Sequence, residues 1–329
     1  MNTITKKRYL TKSRFKMALE CPTKLHYAVE ANGFFDKNKN NDFLQALADG
    51  GNQVGELAKF KYHPDPIGAG ITVETLEYVP AIDQTKAKLR QPGRVVIAEA
   101  ALLHEPFFVR VDVLIQDKDA KTIDLIEVKS KSVTDKDVAA RFKNTKGKFD
   151  NSWLPYLYDV TFQAEVARLN FPGYTIRPKL LLLDASQTCD KDGLHQLFQI
   201  VEKIDPATDR SRAEIQTPTN LSLDDIGQLQ FLREVDVSDI VNELRMSPID
   251  NEAHVPEPFR KNLSTFMDWA GQLQMSGELA FHGVSKACRS CQYRAPVGEP
   301  SLSGVHNCWR LARSQGLING TGDLTDRRT

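Results

Sequence analysis

Two short stretches decide the fold: Val109-Arg110-Val111-Asp112-Val113-Leu114-Ile115 and, beyond a polar turn over 117–121, Ile123-Asp124-Leu125-Ile126-Glu127-Val128-Lys129. Both alternate and are rich in β-branched residues, so they predict paired strands over 107–116 and 122–129, a hairpin. Side chains alternate across a strand. Arg110, Asp112 and Leu114 therefore share one face, while Val109, Val111, Val113 and Ile115 fill the other. Glu127 and Lys129 likewise point together, with Val128 opposite. A pairing that sets Asp112 against Glu127 gathers two carboxylates and one ammonium at one spot. Isolated carboxylates are costly to bury on an apolar sheet, and a divalent cation resolves that conflict. Magnesium or manganese suits hard oxygen ligands, and such an ion polarises a phosphodiester and lowers the pKa of a bound water. Asp112 and Glu127 are the candidate metal ligands, with the backbone carbonyl of Val128 as a third. Lys129 is the candidate for orienting the water or stabilising developing charge. Glu99 is a further acidic candidate, whose alternative is a strand-edge salt bridge. An Asp and an E-x-K on adjacent strands also describe an ordinary ion-paired face, so the motif needs its context.

Outward from the hairpin, the spacing predicts a helix over 11–32, capped by Ser13 and interrupted at Pro22. A second is expected over 42–60, where Phe43, Leu47, Val54 and Leu57 recur at helical spacing. Gly50, Gly51 and Gly55 weaken its middle, so close packing or a break is expected there. Strands are expected over 71–77 and 95–103, an amphipathic helix over 156–169, and a short apolar strand over 179–183. This alternation is an α/β pattern, a mixed sheet flanked by helices. Beyond about residue 205 the pattern turns helical, with Ser222 and Ser238 as caps and a third helix over 262–279. From Ser285 the chain reads as irregular. The expected organisation is a core over 1–205, a helical, cysteine-containing appendage over 206–312, and a loose tail over 313–329.

Lysine plus arginine equals aspartate plus glutamate, 43 against 43, so global charge favours no partner. Its distribution is uneven. Lys6, Lys7, Arg8, Lys12, Arg14 and Lys16 precede the first acid, Glu20. Lys129, Lys131, Lys136, Arg141, Lys143, Lys146 and Lys148 are diluted only by Asp135 and Asp137. Such patches bind phosphate backbones in a protein of zero net charge, although most are plain solvated surface. No apolar run approaches the roughly 20 residues that cross a bilayer, and the opening residues are basic and polar rather than a signal sequence. A cytoplasmic location, away from membranes, is the expectation. The seven histidines are scattered. No phosphate-binding P-loop, dinucleotide fingerprint or G-x-S-x-G is present, so any helicase motor must be a separate partner.

Five cysteines in a cytoplasmic chain are expected to be free of disulfides. Cys288 and Cys291 form a C-x2-C pair that can clamp one metal centre, and Cys308 and Cys21 complete four thiolates. On count alone a [4Fe–4S] cluster and a structural zinc fit equally well. Cys189 reads as a buried cysteine acting as a small apolar residue.

In this combination the chain resembles the RecB-like nucleases that carry an iron–sulfur cluster, among them the AddB nuclease domain and the CRISPR-associated RecB-like exonucleases. The opening Leu10-Thr11-Lys12-Ser13-Arg14-Phe15 up to Cys21-Pro22 matches, as does the order of Cys21, Cys288, Cys291 and Cys308 around the core. Asp112 and Glu127-Val128-Lys129 match the family's D…(D/E)xK core, and Gln163 the glutamine of the following helix. The resemblance covers residues 8–312. It implies a PD-(D/E)XK core, metal-dependent hydrolysis of DNA at single-stranded or free ends, and a cluster held by the four cysteines. A role in repair, recombination or antiphage defence follows from it, as does Gln163 as the residue that steadies the site. Two departures favour the other reading, a catalytically decayed DNA-binding accessory protein. The family's metal-binding histidine has no counterpart in Gly50-Gly51-Asn52-Gln53-Val54-Gly55-Glu56, where Gln53 and Glu56 are the possible substitutes. Val166 stands where a tyrosine is usual.

Overall fold

A computed structural model describes residues 7–29, 32–39, 42–134, 137–205 and 210–318, with backbone only at 42–50, 202–205 and 210–213. Lys6 and Lys136 of the two basic stretches lie outside the described residues. The elements, in order, are α1 (Lys12–Glu20), α2 (Thr23–Tyr27), α3 (Asp42–Tyr62), α4 (Tyr78–Leu89), β1 (Arg94–His104), β2 (Phe107–Asp117), β3 (Thr122–Val133), α5 (Leu154–Asn170), β4 (Thr175–Asp184), β5 (Gln199–Asp205), β6 (Arg210–Gln216), α6 (Leu223–Ile226), β7 (Leu232–Asp236), α7 (Ser238–Met246), α8 (Leu263–Ser276) and α9 (Gly304–Ser314). The chain divides into two compact units. One comprises Phe43–His104 and Phe108–Glu243, the other Met1–Asp42, Glu105–Phe107 and Leu244–Thr329.

The central unit is built on a five-stranded mixed sheet in the order β1-β2-β3-β4-β7. The expected hairpin is there as β2 and β3, antiparallel, with Val113 opposite Ile126 and Ile115 opposite Asp124. β3 runs parallel to β4, and β4 antiparallel to β7. Val113, Ile115 and Ile126 share one buried cluster with Leu57, Ala58 and Phe60 of α3, Val96 and Ala98 of β1 and Leu181 of β4. Each Val, Leu, Ile or Phe among them contributes about 1.5–3 kcal/mol by leaving water. On α5 every residue from Leu157 to Ala167 except Tyr158 is buried, including Asp159, Thr161, Gln163 and Glu165. Thr161 satisfies itself by donating to the Leu157 carbonyl, four residues back, at 2.7 Å.

Several expectations need correction. The segment over 71–77 is not a strand. It makes one parallel bridge, Thr72 to Ala98, with Val73 N–H on the Ala98 carbonyl at 2.9 Å. The pairing stops one residue before Glu99, whose φ is +57°. The Arg110 guanidinium then takes the Val73 and Thr75 carbonyls at 2.8 and 2.7 Å, in place of a strand ladder. α3 runs unbroken through its glycines, and a Cβ at Gly51 or Gly55 would meet nothing within 4 Å. No close approach explains these two residues. Residues 206–312 are not purely helical, since they supply β6 and β7, and β7 completes the main sheet. The helix expected from Ser222 through Leu229 is a single turn, closed by the reciprocal Ser222–Asp225 cap. α4 was not anticipated.

The second unit joins α1, α2, α8, α9 and the loops around them. The expected helix over 11–32 is two helices, broken where Pro22 follows Cys21, because proline has no N–H to continue the ladder. Thr11, rather than Ser13, caps α1, accepting from Arg14 N–H at 3.5 Å. α8 is capped by Asn262, which accepts from Thr265 N–H at 2.9 Å. Phe15 meets Phe266 edge-on with ring centres 6.1 Å apart, and Thr23 Oγ1 donates to the Ala280 carbonyl at 2.6 Å. The region after Ser285 is more regular than expected: α9 is an 11-residue helix capped by Ser303. Of the tail expected over 313–329, residues 313 and 314 belong to α9, and 319–329 lie outside the described residues.

Candidate active site and candidate metal centre

The β2–β3 pairing runs from Asp117–Thr122 to Val113–Ile126, and its next step sets Asp112 opposite Glu127. There the ladder gives way. The Val128 N–H donates to Asp112 Oδ2 at 2.6 Å, so a side-chain carboxylate takes a backbone donor. β3 also shifts register against β4 between Val128 and Ser132, a bulge of the sort that re-aims side chains beside functional sites.

Glu127 is fully buried. Its Oε1 pairs with the Lys129 ammonium at 2.5 Å, and its Oε2 accepts from the Gln163 side-chain amide. Lys129 also donates to Asp159 Oδ2 at 2.9 Å, and Asp159 is 1% exposed. The ammonium is thus shared by two buried carboxylates, one from β3 and one from α5. Gln163 Oε1 is buried with no hydrogen-bond partner. The Tyr156 ring closes the outer side, its centre 5.6 Å from Lys129 Nζ.

Of the residues singled out by sequence, the structure brings Glu127, Lys129 and Gln163 into direct contact and sets Asp112 beside Val128. Glu99 does not join them. Its carboxylate accepts from Arg110 Nε at 3.1 Å, the strand-edge pair that was its alternative. Gln53 donates to the Phe198 carbonyl at 2.6 Å and Glu56 pairs with Lys59 at 2.5 Å. Asp159 is the residue that sequence reasoning passed over. The signal was its spacing, four residues before Gln163, which puts both on one side of a helix.

Asp112, Glu127, Asp159 and Lys129 carry a formal charge of −2 between them, the charge that one divalent cation balances. Among the described residues, no three His, Cys, Asp or Glu side chains close on one ion position. Asp112 and Glu127, on facing strands, are the two carboxylates that could share a hard cation with water, and the orphaned Gln163 Oε1 offers an acceptor for such a water.

The second unit gathers the other candidates. Cys21, Cys288, Cys291 and Cys308 are free and partly exposed. Burial, with Cys288 close by, pushes the Cys21 and Cys291 thiols up. The Cys308 thiol is pushed up to about 12 by burial, with Cys21, Cys288 and Cys291 all adding to the rise. The four sulfurs thus lie within electrostatic reach of one another, though not closed on a single point. The donors around them suit thiolates. Ser285 N–H donates to Cys288 Sγ at 3.4 Å, Tyr27 Oη lies 3.1 Å from Cys308 Sγ, and the Lys24 charge favours thiolate at Cys21 and Cys291. Gly304, at the start of α9, lies so close to Tyr27 and Tyr293 that a Cβ would come within 2.7 and 2.8 Å of them. A side chain there would push away the helix that carries Cys308. Cys189, expected to be buried, is instead exposed, with its thiol donating to the Lys191 carbonyl at 3.3 Å.

No helix among the described residues is long and apolar enough to cross a membrane. No protein-family model matches the chain, and no curated protein is significantly similar to it in sequence.

Proposed function

We propose that this chain is a magnesium- or manganese-dependent DNA nuclease with a PD-(D/E)XK core. It would hydrolyse phosphodiesters at single-stranded or free ends, in repair, recombination or antiphage defence. The observation that carries the reading is the fully buried Glu127, clamped by Lys129 and Gln163 and set opposite Asp112 by the β2–β3 register. Burying that acid and surrounding it with two further carboxylates is costly for a purely structural element, and it suits a site that receives a cation. Asp112 and Glu127 would hold the metal, which when bound would polarise the phosphate and activate a water. Gln163 orients Glu127 through its second oxygen. Asp159 and Glu127 together fix the Lys129 ammonium where it stabilises charge developing on phosphate. Cys21, Cys288, Cys291 and Cys308 would hold a [4Fe–4S] cluster or, on the same thiolates, a zinc ion. Either ties residue 21 to residue 308 and so restrains the unfolded chain.

The test is cleavage of end-labelled single-stranded DNA by anaerobically prepared protein, with magnesium or manganese and with chelator. Metal-dependent products that disappear with Asp112→Ala support the reading. Iron and zinc analysis of the same protein separates the two cysteine-site occupants. One observation favours the second reading, a decayed DNA-binding accessory protein. Gln53, Glu56 and Glu99, the residues available to add a metal ligand, are all engaged elsewhere. DNA binding without metal-dependent turnover, from folded and metal-loaded protein, would select it.

A further inference from the structure

We propose that Lys131, Lys146 and Lys148 form a strip that grips the phosphate backbone of the substrate strand as it leaves the Lys129 site. The inference rests on the nuclease reading and adds the surface that holds the polyanion.

Lys131 lies two residues beyond Lys129 on β3, and its ammonium sits 4.7 Å from the Trp153 ring centre and 5.5 Å from that of Tyr156. Tyr156 also carries Lys129, so the two ammonium groups share one ring. Trp153 packs on Phe142 with ring centres 5.1 Å apart, and Asp150 N–H bonds the Phe142 carbonyl at 2.9 Å. Phe142 opens a tight loop in which Lys143 pairs with Phe149 across an antiparallel bridge. The Asn144 side chain shapes that loop, accepting from Lys146 N–H at 2.9 Å and Lys148 N–H at 3.2 Å. The contacts therefore run without a gap from Lys129 through Tyr156, Lys131, Trp153 and Phe142 to the exposed Lys146 and Lys148.

A solvated, ion-paired surface is the ordinary explanation for such a run, and it predicts acids among these lysines. Lys143 follows it, pairing with Glu243 at 2.6 Å. No ion pair engages Lys131, Lys146 or Lys148 among the described residues. The nearby acid, Asp150, spends its carboxylate on Ser152 N–H and Oγ and only feels the Lys131 charge from a distance. A lysine resting on aromatic rings gives up only a weak attraction when it swings to a phosphate. A polyanion threading past a divalent-metal site is the partner this charge fits.

The experiment measures binding of a labelled single-stranded oligonucleotide by the full chain, in chelator so that it stays intact, from 50 to 200 mM salt. Each lost phosphate contact on a single strand lowers the slope of log affinity against log salt by about 0.7. Lys131→Ala/Lys146→Ala/Lys148→Ala should therefore lower it by about 2, shrinking the salt-induced loss of affinity about 20-fold over that range. Lys146→Ala/Lys148→Ala, confined to an exposed loop, should lower it by about 1.4. Lys61→Ala/Lys86→Ala, on α3 and α4, should leave it unchanged. An unchanged slope in both strip variants, from protein that binds and cleaves DNA, overturns the strip and leaves the nuclease standing. A lowered slope without metal-dependent cleavage keeps the strip and removes the nuclease. Folded wild-type protein that binds no strand at 50 mM salt overturns both.

Discussion

Replacing Lys129 by methionine removes the ammonium from between Glu127 and Asp159, which are 0% and 1% exposed. Breaking a buried pair by deleting one partner typically costs about 3–5 kcal/mol, because a buried charge stays behind. Protonation sets a ceiling on that cost. Neutralising a glutamate of ordinary pKa about 4.3 at pH 7 takes about 3.7 kcal/mol, and an aspartate of about 3.9 takes about 4.2. At pH 5 the same steps take only about 1.0 and 1.5 kcal/mol. Without the ammonium the charged carboxylates are disfavoured in the fold, so the destabilisation is full at high pH and relieved as pH falls. Urea unfolding should show Lys129→Met losing about 3–5 kcal/mol at pH 7 and no more than about 2.5 kcal/mol at pH 5, where both carboxyls can be protonated for that cost. Adding Glu127→Gln and Asp159→Asn to Lys129→Met should recover most of the loss at pH 7, since the charges themselves are then gone. A loss below about 1 kcal/mol that is independent of pH would refute the claim that the ammonium holds two buried carboxylates. Any loss of cleavage in Lys129 variants must be read beside this stability change.

Asp159→Asn keeps the shape of the side chain but removes its charge from Lys129. Cleavage kcat should fall at least tenfold while the oligonucleotide Kd changes less than threefold, as read by single-turnover kinetics and binding on one preparation. Gly304→Ala drives a Cβ into Tyr27 and Tyr293, so thermal unfolding should report a loss of about 1–3 kcal/mol, and metal content per chain should drop with it. Asn262→Ala deletes the α8 cap at a cost of about 1 kcal/mol, checked by denaturant unfolding. Arg110→Met frees the Val73 and Thr75 carbonyls and the Glu99 carboxylate, and amide exchange should rise at Val73 and Ala98 while Ile126 stays protected.

The hairpin was legible because alternation of β-branched residues is a local signal, and local alternation also fixes which side chains share a face. Asp112, Glu127 and Lys129 could be picked out for that reason. α5 was legible through its length, but its polar residues were not interpretable, since burial on all sides is a property of the packed unit. Asp159 was missed on that account. The segment over 71–77 has strand composition, yet the positive φ at Glu99 and the reach of Arg110 decide its pairing, and neither can be read from composition. β7 was hidden because Leu232, Glu234 and Asp236 give a weak alternation that only pairing with β4 makes a strand. The cysteines announced themselves by spacing. Their mutual approach depends on α9 docking at Gly304, a close packing that spacing does not encode.

The unit that holds the four cysteines is assembled from both ends of the chain: α1 and α2 belong to it, and so do α8 and α9. On the ribosome, Cys21 emerges first and waits for Cys288, Cys291 and Cys308. At the usual 5–20 residues per second that interval is on the order of 15–60 s. For that time Phe15 lacks Phe266, and the Cys21 thiol has no companions. The central unit, encoded between the two halves, is free to fold meanwhile. A synthesis pulse followed by limited proteolysis would therefore find the middle of the chain protected before its beginning. The four thiols cannot come together before translation has delivered Cys308.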